Sequence, residues 1–151
     1  MNLRKIALSD REKYIEMTTA FYSSEAVEHA VDPRNFDMAF DEMMRSDTYV
    51  ECWIIEENAQ IAGYIMLLKT YSQEAGGICI WLDEVWIEPE FRGMGIGGNA
   101  IKQVMDIHSD AARFRLEYSD ANPRAAQLYR RLGFDDMGYR QMYLEKNHKN
   151  S

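Results

Sequence analysis

The stretch from Glu84 to Gly98 holds the densest concentration of chemistry in the chain. An apolar, acid-bearing strand runs through Pro89 into a basic, glycine-rich turn, and a helical pattern begins at once. Glycine lets a backbone turn sharply and brings its N–H groups up to a ligand. A helix start presents unpaired N–H groups and a partial positive charge. Arg92, Gly93, Met94, Gly95, Ile96, Gly97 and Gly98 therefore form a seat for phosphate, above all the pyrophosphate of a cofactor. Arg92 adds a permanent cation with planar donors. Near this turn the chain also carries carboxylates and phenols, the side-chain types able to move protons.

The elements that position these groups follow from periodicity. A first strand is expected near residues 2–7, and Ser9 with Glu12 fits a capping box. Tyr14, Met17, Thr18 and Phe21 then recur at helical spacing, as do Phe36, Ala39, Phe40 and Met43 in a second helix from about Asn35. Strands over 49–56 and 60–71 flank a turn at Glu57-Asn58, and a third long strand covers 78–87. Ile101, Val104, Met105 and His108 mark one helix face, and a strand is expected over 114–118. Asn122-Pro123 caps a helix that carries Ala125, Leu128, Tyr129 and Leu132, with Gly133 closing it and Phe134 as its cap contact. A last strand is expected within 139–144. The order β-α-α-β-β-β-α-β-α-β predicts an α/β (α+β) chain, a mixed sheet with helices on its faces.

Two frames fit the glycine turn. Gly93, Gly95 and Gly98 satisfy G-x-G-x-x-G, with Glu117 about 20 residues on, as in dinucleotide-binding folds. Against an NAD site, residues 88–92 separate the strand from the first glycine, and only one βαβ unit remains. The other frame is Arg92-x-x-Gly95-x-Gly97 after a strand and Pro89, which resembles the acyl-CoA motif of the GNAT superfamily of N-acetyltransferases. Leu116-Glu117-Tyr118, Asn122, Ala126, Leu128-Tyr129 and Leu132-Gly133-Phe134 resemble that family's next motif, so the likeness covers residues 81–134.

The resemblance implies a GNAT fold, a mostly antiparallel twisted sheet whose central parallel strands splay apart. It implies that acetyl-CoA is the cosubstrate, with its pantetheine arm paired to the backbone around Val85, Trp86 and Ile87. The pyrophosphate would lie on residues 92–98, and Asn122 would touch the arm besides capping its helix. Tyr129 matches the family's general acid, which protonates the departing thiolate. The acceptor would be a small-molecule or peptide primary amine. A lysine-like amine has a pKa of about 10.4, so roughly one in a thousand is free at neutral pH and a base is needed. Glu84 is favoured as the acceptor-binding acid, with Glu117 as the alternative, although alternation cannot choose between them because a bulge resets the face. Phe21, Tyr22, Glu25, His29 and Phe36, with Tyr71 and Trp81 from the strands, are candidate walls of the acceptor pocket. A non-catalytic acyl-CoA sensor is the alternative from another class. The likeness also leaves room for a homodimer through sheet edges or C-terminal strands.

Composition sets outer bounds. The 151 residues suit one domain over 1–151 with a polar tail from about 146, and 46% apolar residues suffice for a core. With 25 Asp+Glu against 17 Lys+Arg, the net charge of −8 argues against nucleic-acid or anionic-membrane partners. No signal-peptide core and no membrane-length apolar run is present, which predicts a cytoplasmic protein. Cys52 and Cys79 sit in apolar strands and are expected as buried thiols. His29, His108 and His148 lack ligand spacing, so no metal site is expected.

Overall fold

In the computed structural model, strands β1 (Asn2–Lys5), β2 (Val50–Glu57), β3 (Gln60–Ser72), β4 (Gly77–Ile87) and β5 (Arg113–Arg115) lie side by side in chain order. The first three pairings are antiparallel, and β4 with β5 is parallel. Helices α1 (Arg11–Tyr22) and α2 (Arg34–Arg45) lie between β1 and β2, α3 (Ile96–Ile107) joins β4 to β5, and α4 (Pro123–Arg131) follows β5. The structure describes residues 1–24, 27 and 29–146, so Glu25, His148 and the end of the polar tail lie outside the described residues.

Alternation along the strands feeds two apolar layers. On one face, Tyr14, Met17, Phe40 and Met43 from α1 and α2 pack on Cys52, Ile54, Tyr64 and Met66. On the other, Ile101 and Val104 of α3 pack on Ile65, Leu67, Ile80 and Leu82, joined by Tyr129, Leu132 and Phe134 from α4 and its exit. A third cluster, Ile55, Ala62, Phe91, Ile96 and Ala100, roots the glycine turn on the sheet. Both cysteines are buried and free, and burial pushes the Cys52 thiol up.

Several local expectations are corrected. The hairpin turn falls at Asn58-Ala59, both at positive φ (52° and 61°), because a two-residue turn of that hand matches strand twist. The start of α1 is held by Asp10 rather than a Ser9/Glu12 box. Its carboxylate accepts from Ala7 N–H (2.8 Å) and from both terminal nitrogens of Arg4 (2.8 and 3.0 Å), a charged fork that outcompetes a neutral hydroxyl. The Arg4 guanidinium holds the Asp10 carboxyl below its usual value. The strand expected over 114–118 ends at Arg115, and residues 139–144 form no strand. Among the described residues β5 has no neighbour beyond β4, so the C-terminal segment finds no ladder, and Tyr139, Met142, Tyr143 and Leu144 stand exposed.

Candidate active site

The site grows from one strand that changes partners halfway. Cys79, Ile80 and Trp81 of β4 pair with Arg113, Phe114 and Arg115 of β5, and there the pairing stops. From Leu82 to Ile87, β4 keeps β3 on one side and has an open edge on the other. That edge includes Val85, Trp86 and Ile87, the residues expected to pair with an extended arm. Gly63 makes the geometry possible on the β3 side, since a Cβ there would lie 2.0 Å from the Trp86 carbonyl oxygen.

Beyond β4 the chain turns through Pro89–Phe91, and Phe91 plugs the third apolar cluster. Gly93 (φ 80°) and Gly95 (φ 77°) adopt the left-handed backbone that side chains disfavour. Gly95 is the N-cap of α3 and supplies no side-chain acceptor, and the first helical bond is Asn99 N–H to Gly95 carbonyl (3.1 Å). The N–H groups of Ile96, Gly97 and Gly98 are thus left for a ligand. Gly98 has a further task, because a Cβ there would press on Leu128 of α4 at 3.3 Å. Arg92 folds back over β4, its Nε donating to the Ile87 carbonyl (2.8 Å) and its guanidinium lying 4.7 Å from the Trp86 ring. Trp86 Nε1 is the buried side-chain polar atom that lacks a partner among the described residues. A buried indole N–H without an acceptor, free helix N–H groups and an unpaired strand edge all fit a ligand rich in carbonyl and phosphate oxygens.

The carboxylates separate in space. β4 bulges at Asp83, since Leu82 pairs with Leu67 but Glu84 pairs with Met66. The extra residue turns Glu84 onto the α1 face, opposite to Leu82. There Glu84 is 4% exposed and accepts from Tyr64 (2.6 Å), Tyr22 (2.6 Å) and Thr18 (3.4 Å) hydroxyls. Burial raises its carboxyl above the usual range, against the pull of the tyrosine hydroxyls. Asp83, overlooked in the sequence, stands at the open half of β4 with its surface toward solvent. Crowding by the walls and the charge of Glu117 push its carboxyl up. Glu117 is itself exposed on the segment after β5, so Asp83 and Glu117 form an acidic pair across the gap.

Tyr129 is half-buried on the α3 face, edge-on to Phe134 at 6.3 Å, and burial raises its phenol pKa. Its hydroxyl has no hydrogen-bond partner among the described residues. Asn122 caps α4 by accepting from Ala125 N–H (3.2 Å), which leaves its amide nitrogen free to donate. Of the expected acceptor walls, Phe21, Tyr22 and Phe36 form one aromatic cluster at 5.0 and 5.3 Å. His29 meets Tyr143 (3.1 Å) from the C-terminal segment. Trp81, flanked by Arg115 at 4.3 Å, alternates with Ile80 and Leu82 and so points to the α1 side. Tyr71 does not belong with them: it is 75% exposed at the far end of β3 on the α3 face.

A doubly wound parallel sheet, which an NAD site would need, is not what these residues build. The model of the acetyltransferase (GNAT) family matches residues 12–134, and the chain belongs to that family. Over 79 residues it is 37% identical to a thialysine N-epsilon-acetyltransferase of Bos taurus, a match covering 51% of this chain and 46% of the relative. The chain thus spans about half the length of that curated relative. Its fold is that of a possible acetyltransferase from Clostridium difficile 630 (TM-score 0.82, 16% identity, 97% of this chain and 98% of the other). It is also that of an aminoglycoside N-acetyltransferase, AAC(6')-Iy, in complex with CoA (TM-score 0.77, 13% identity, 96% and 94%).

Proposed function

We propose that the chain transfers acetyl from acetyl-CoA to the terminal primary amine of a small lysine-like acceptor by direct attack. The observation that carries this reading is the parting of β4 from β5 after Trp81, directly before the Gly93–Gly98 turn. The open edge of Val85 to Ile87 would pair with the pantetheine arm, and the first N–H groups of α3 with the pyrophosphate. Acetyl-CoA supplies an activated thioester, and everything else asked of the site is positioning and proton movement.

The amine must arrive neutral at its nitrogen lone pair. Asp83, raised in pKa beside Glu117, is placed to take its proton at the mouth of the gap. Glu84 is sequestered beneath Tyr22 and Tyr64 and holds the Tyr22 hydroxyl at the acceptor wall. The Tyr129 hydroxyl then returns a proton to the thiolate sulfur. The relative's printed substrate, thialysine, motivates the lysine-like acceptor, and the aromatic cluster of Phe21, Tyr22 and Phe36 suits its alkyl stem. Release of free thiol from acetyl-CoA on adding thialysine tests the reading; acetyl-CoA binding with no amine-dependent thiol would instead favour a sensor. The open β5 edge and exposed C-terminal segment would be the homodimer contact, checked by light scattering.

A further inference from the structure

Helix α3 is too short for the sheet it covers. Its 12 residues span about 18 Å, whereas the 13 residues of β3 span roughly 43 Å. Past Ile107 the sheet continues uncovered, and a cavity of about 610 Å³ opens there, lined by Tyr49, Lys69, Tyr71, Ile78, Ile80 and His108. The register aligns them: Tyr49 carbonyl accepts from Lys69 N–H (3.0 Å), Lys69 faces Ile80, and Tyr71 faces Ile78. This is the paired half of β4, at the opposite end of α3 from the glycine turn.

Lys69 and His108 join the cavity to a polar cluster behind it that the proposed reaction does not use. Glu51, 4% exposed, accepts from Trp53 Nε1 (2.6 Å), Lys69 Nζ (2.8 Å) and His108 Nε2 (2.6 Å). Lys5 Nζ lies 3.5 Å away and also bonds Asp47 at 2.5 Å. One buried acid is therefore crowded by two ammonium groups and a histidine. Lys69 carries three N–H bonds and spends one on Glu51, and the second ring nitrogen of His108 has no partner among the described residues. Both side chains are partly open to the cavity, at 19% and 17% exposure. The remaining walls combine Tyr49, Tyr71, Ile78 and Ile80 with Thr48, Thr70 and Ala111, and Tyr49, Tyr71 and Ile78 stand at the rim. Asp110 also lines the mouth with the opposite charge, but it is exposed and screened by solvent.

We propose that this cavity is a second ligand site, taking a small organic carboxylate with an aromatic or branched apolar body. The carboxylate accepts from the unspent Lys69 N–H groups, and the body packs on Tyr49, Tyr71 and Ile78. The volume and the mix of apolar wall with a few convergent donors are those of small-molecule pockets.

Phenylacetate and benzylamine, one ring with opposite charges, test it by amide NMR titration of the full chain. Phenylacetate should shift signals of residues 69–71, 78–80 and 108–111 with a dissociation constant of about 1 mM or tighter. Excess acetyl-CoA should leave that titration unchanged, which separates this site from the cleft. Lys69→Gln should weaken phenylacetate about tenfold. Tyr71→Ala, a change at an exposed side chain that leaves the core intact, should weaken it about fivefold. Tighter benzylamine at these residues, shifts confined to the cleft, affinity indifferent to both variants, or no shift at about 10 mM phenylacetate would each overturn the proposal.

Discussion

Glu51 and Glu84 are buried to the same degree, each 4% exposed, on strands of one sheet but on opposite faces. Burial alone would raise both. Glu51 is nevertheless held down to about 2, because Lys69, His108 and Trp53 outweigh its desolvation. Glu84 stays raised, because its donors are the neutral hydroxyls of Tyr22, Tyr64 and Thr18. Partner charge, not depth, decides which carboxylate is held as an anion and which is pushed toward its protonated form.

The sharpest way to break this comparison is to remove each acid. Glu51→Ala leaves Lys69, His108 and Trp53 unpaired, and should cost about 3–5 kcal/mol in chemical denaturation. Tyr129→Phe, which keeps the packing against Phe134, should lower turnover about 100-fold with acetyl-CoA affinity spared; unchanged single-turnover rates would remove it as the acid. Asp83→Asn should lower kcat/KM about tenfold or more and flatten the acid limb of its pH profile, whereas Glu117→Gln should shift that limb downward by removing a neighbouring charge. Glu84→Gln should lower kcat/KM by less than Asp83→Asn and change stability by about 1 kcal/mol at most, since the tyrosine hydroxyls can accept as well as donate.

The smallest effect is also the most diagnostic. Glu51 has a folded value below its unfolded one, so its contribution is present above the unfolded value and fades as pH falls toward about 2. Glu84 has a folded value above its unfolded one, so its protonated form favours the fold and that contribution fades as pH rises through the raised value. Stability-versus-pH curves of Glu51→Gln and Glu84→Gln should therefore depart from the parent in opposite directions. Departures of the same sign would show that burial dominates at both sites.

Much of the architecture was legible because it rests on local signals. The amphipathic stripes of α2 and α3, the Asn122-Pro123 cap and the glycine turn each depend on residues close in the chain. The expected strand at 139–144 failed because aromatic and apolar residue types say nothing about whether a neighbour is there to pair with the segment. Tyr71 failed as an acceptor wall for a similar reason: its aromatic type was visible, but the end and face of the sheet on which β3 would place it were not.

On its own, the sequence specified a glycine turn that follows a strand and opens a helix, because glycine at positive φ and a helix start without a side-chain cap are properties of a few adjacent residues. It also determined the family, through two motifs at the expected separation. Where each acid stands came only from the tertiary structure. One inserted residue at Asp83 turns Glu84 under the tyrosines and leaves Asp83 facing Glu117, and β5 stops pairing at Arg115 so that a gap exists for them to line. A bulge and a strand's end are set by register between distant segments, which no local pattern encodes.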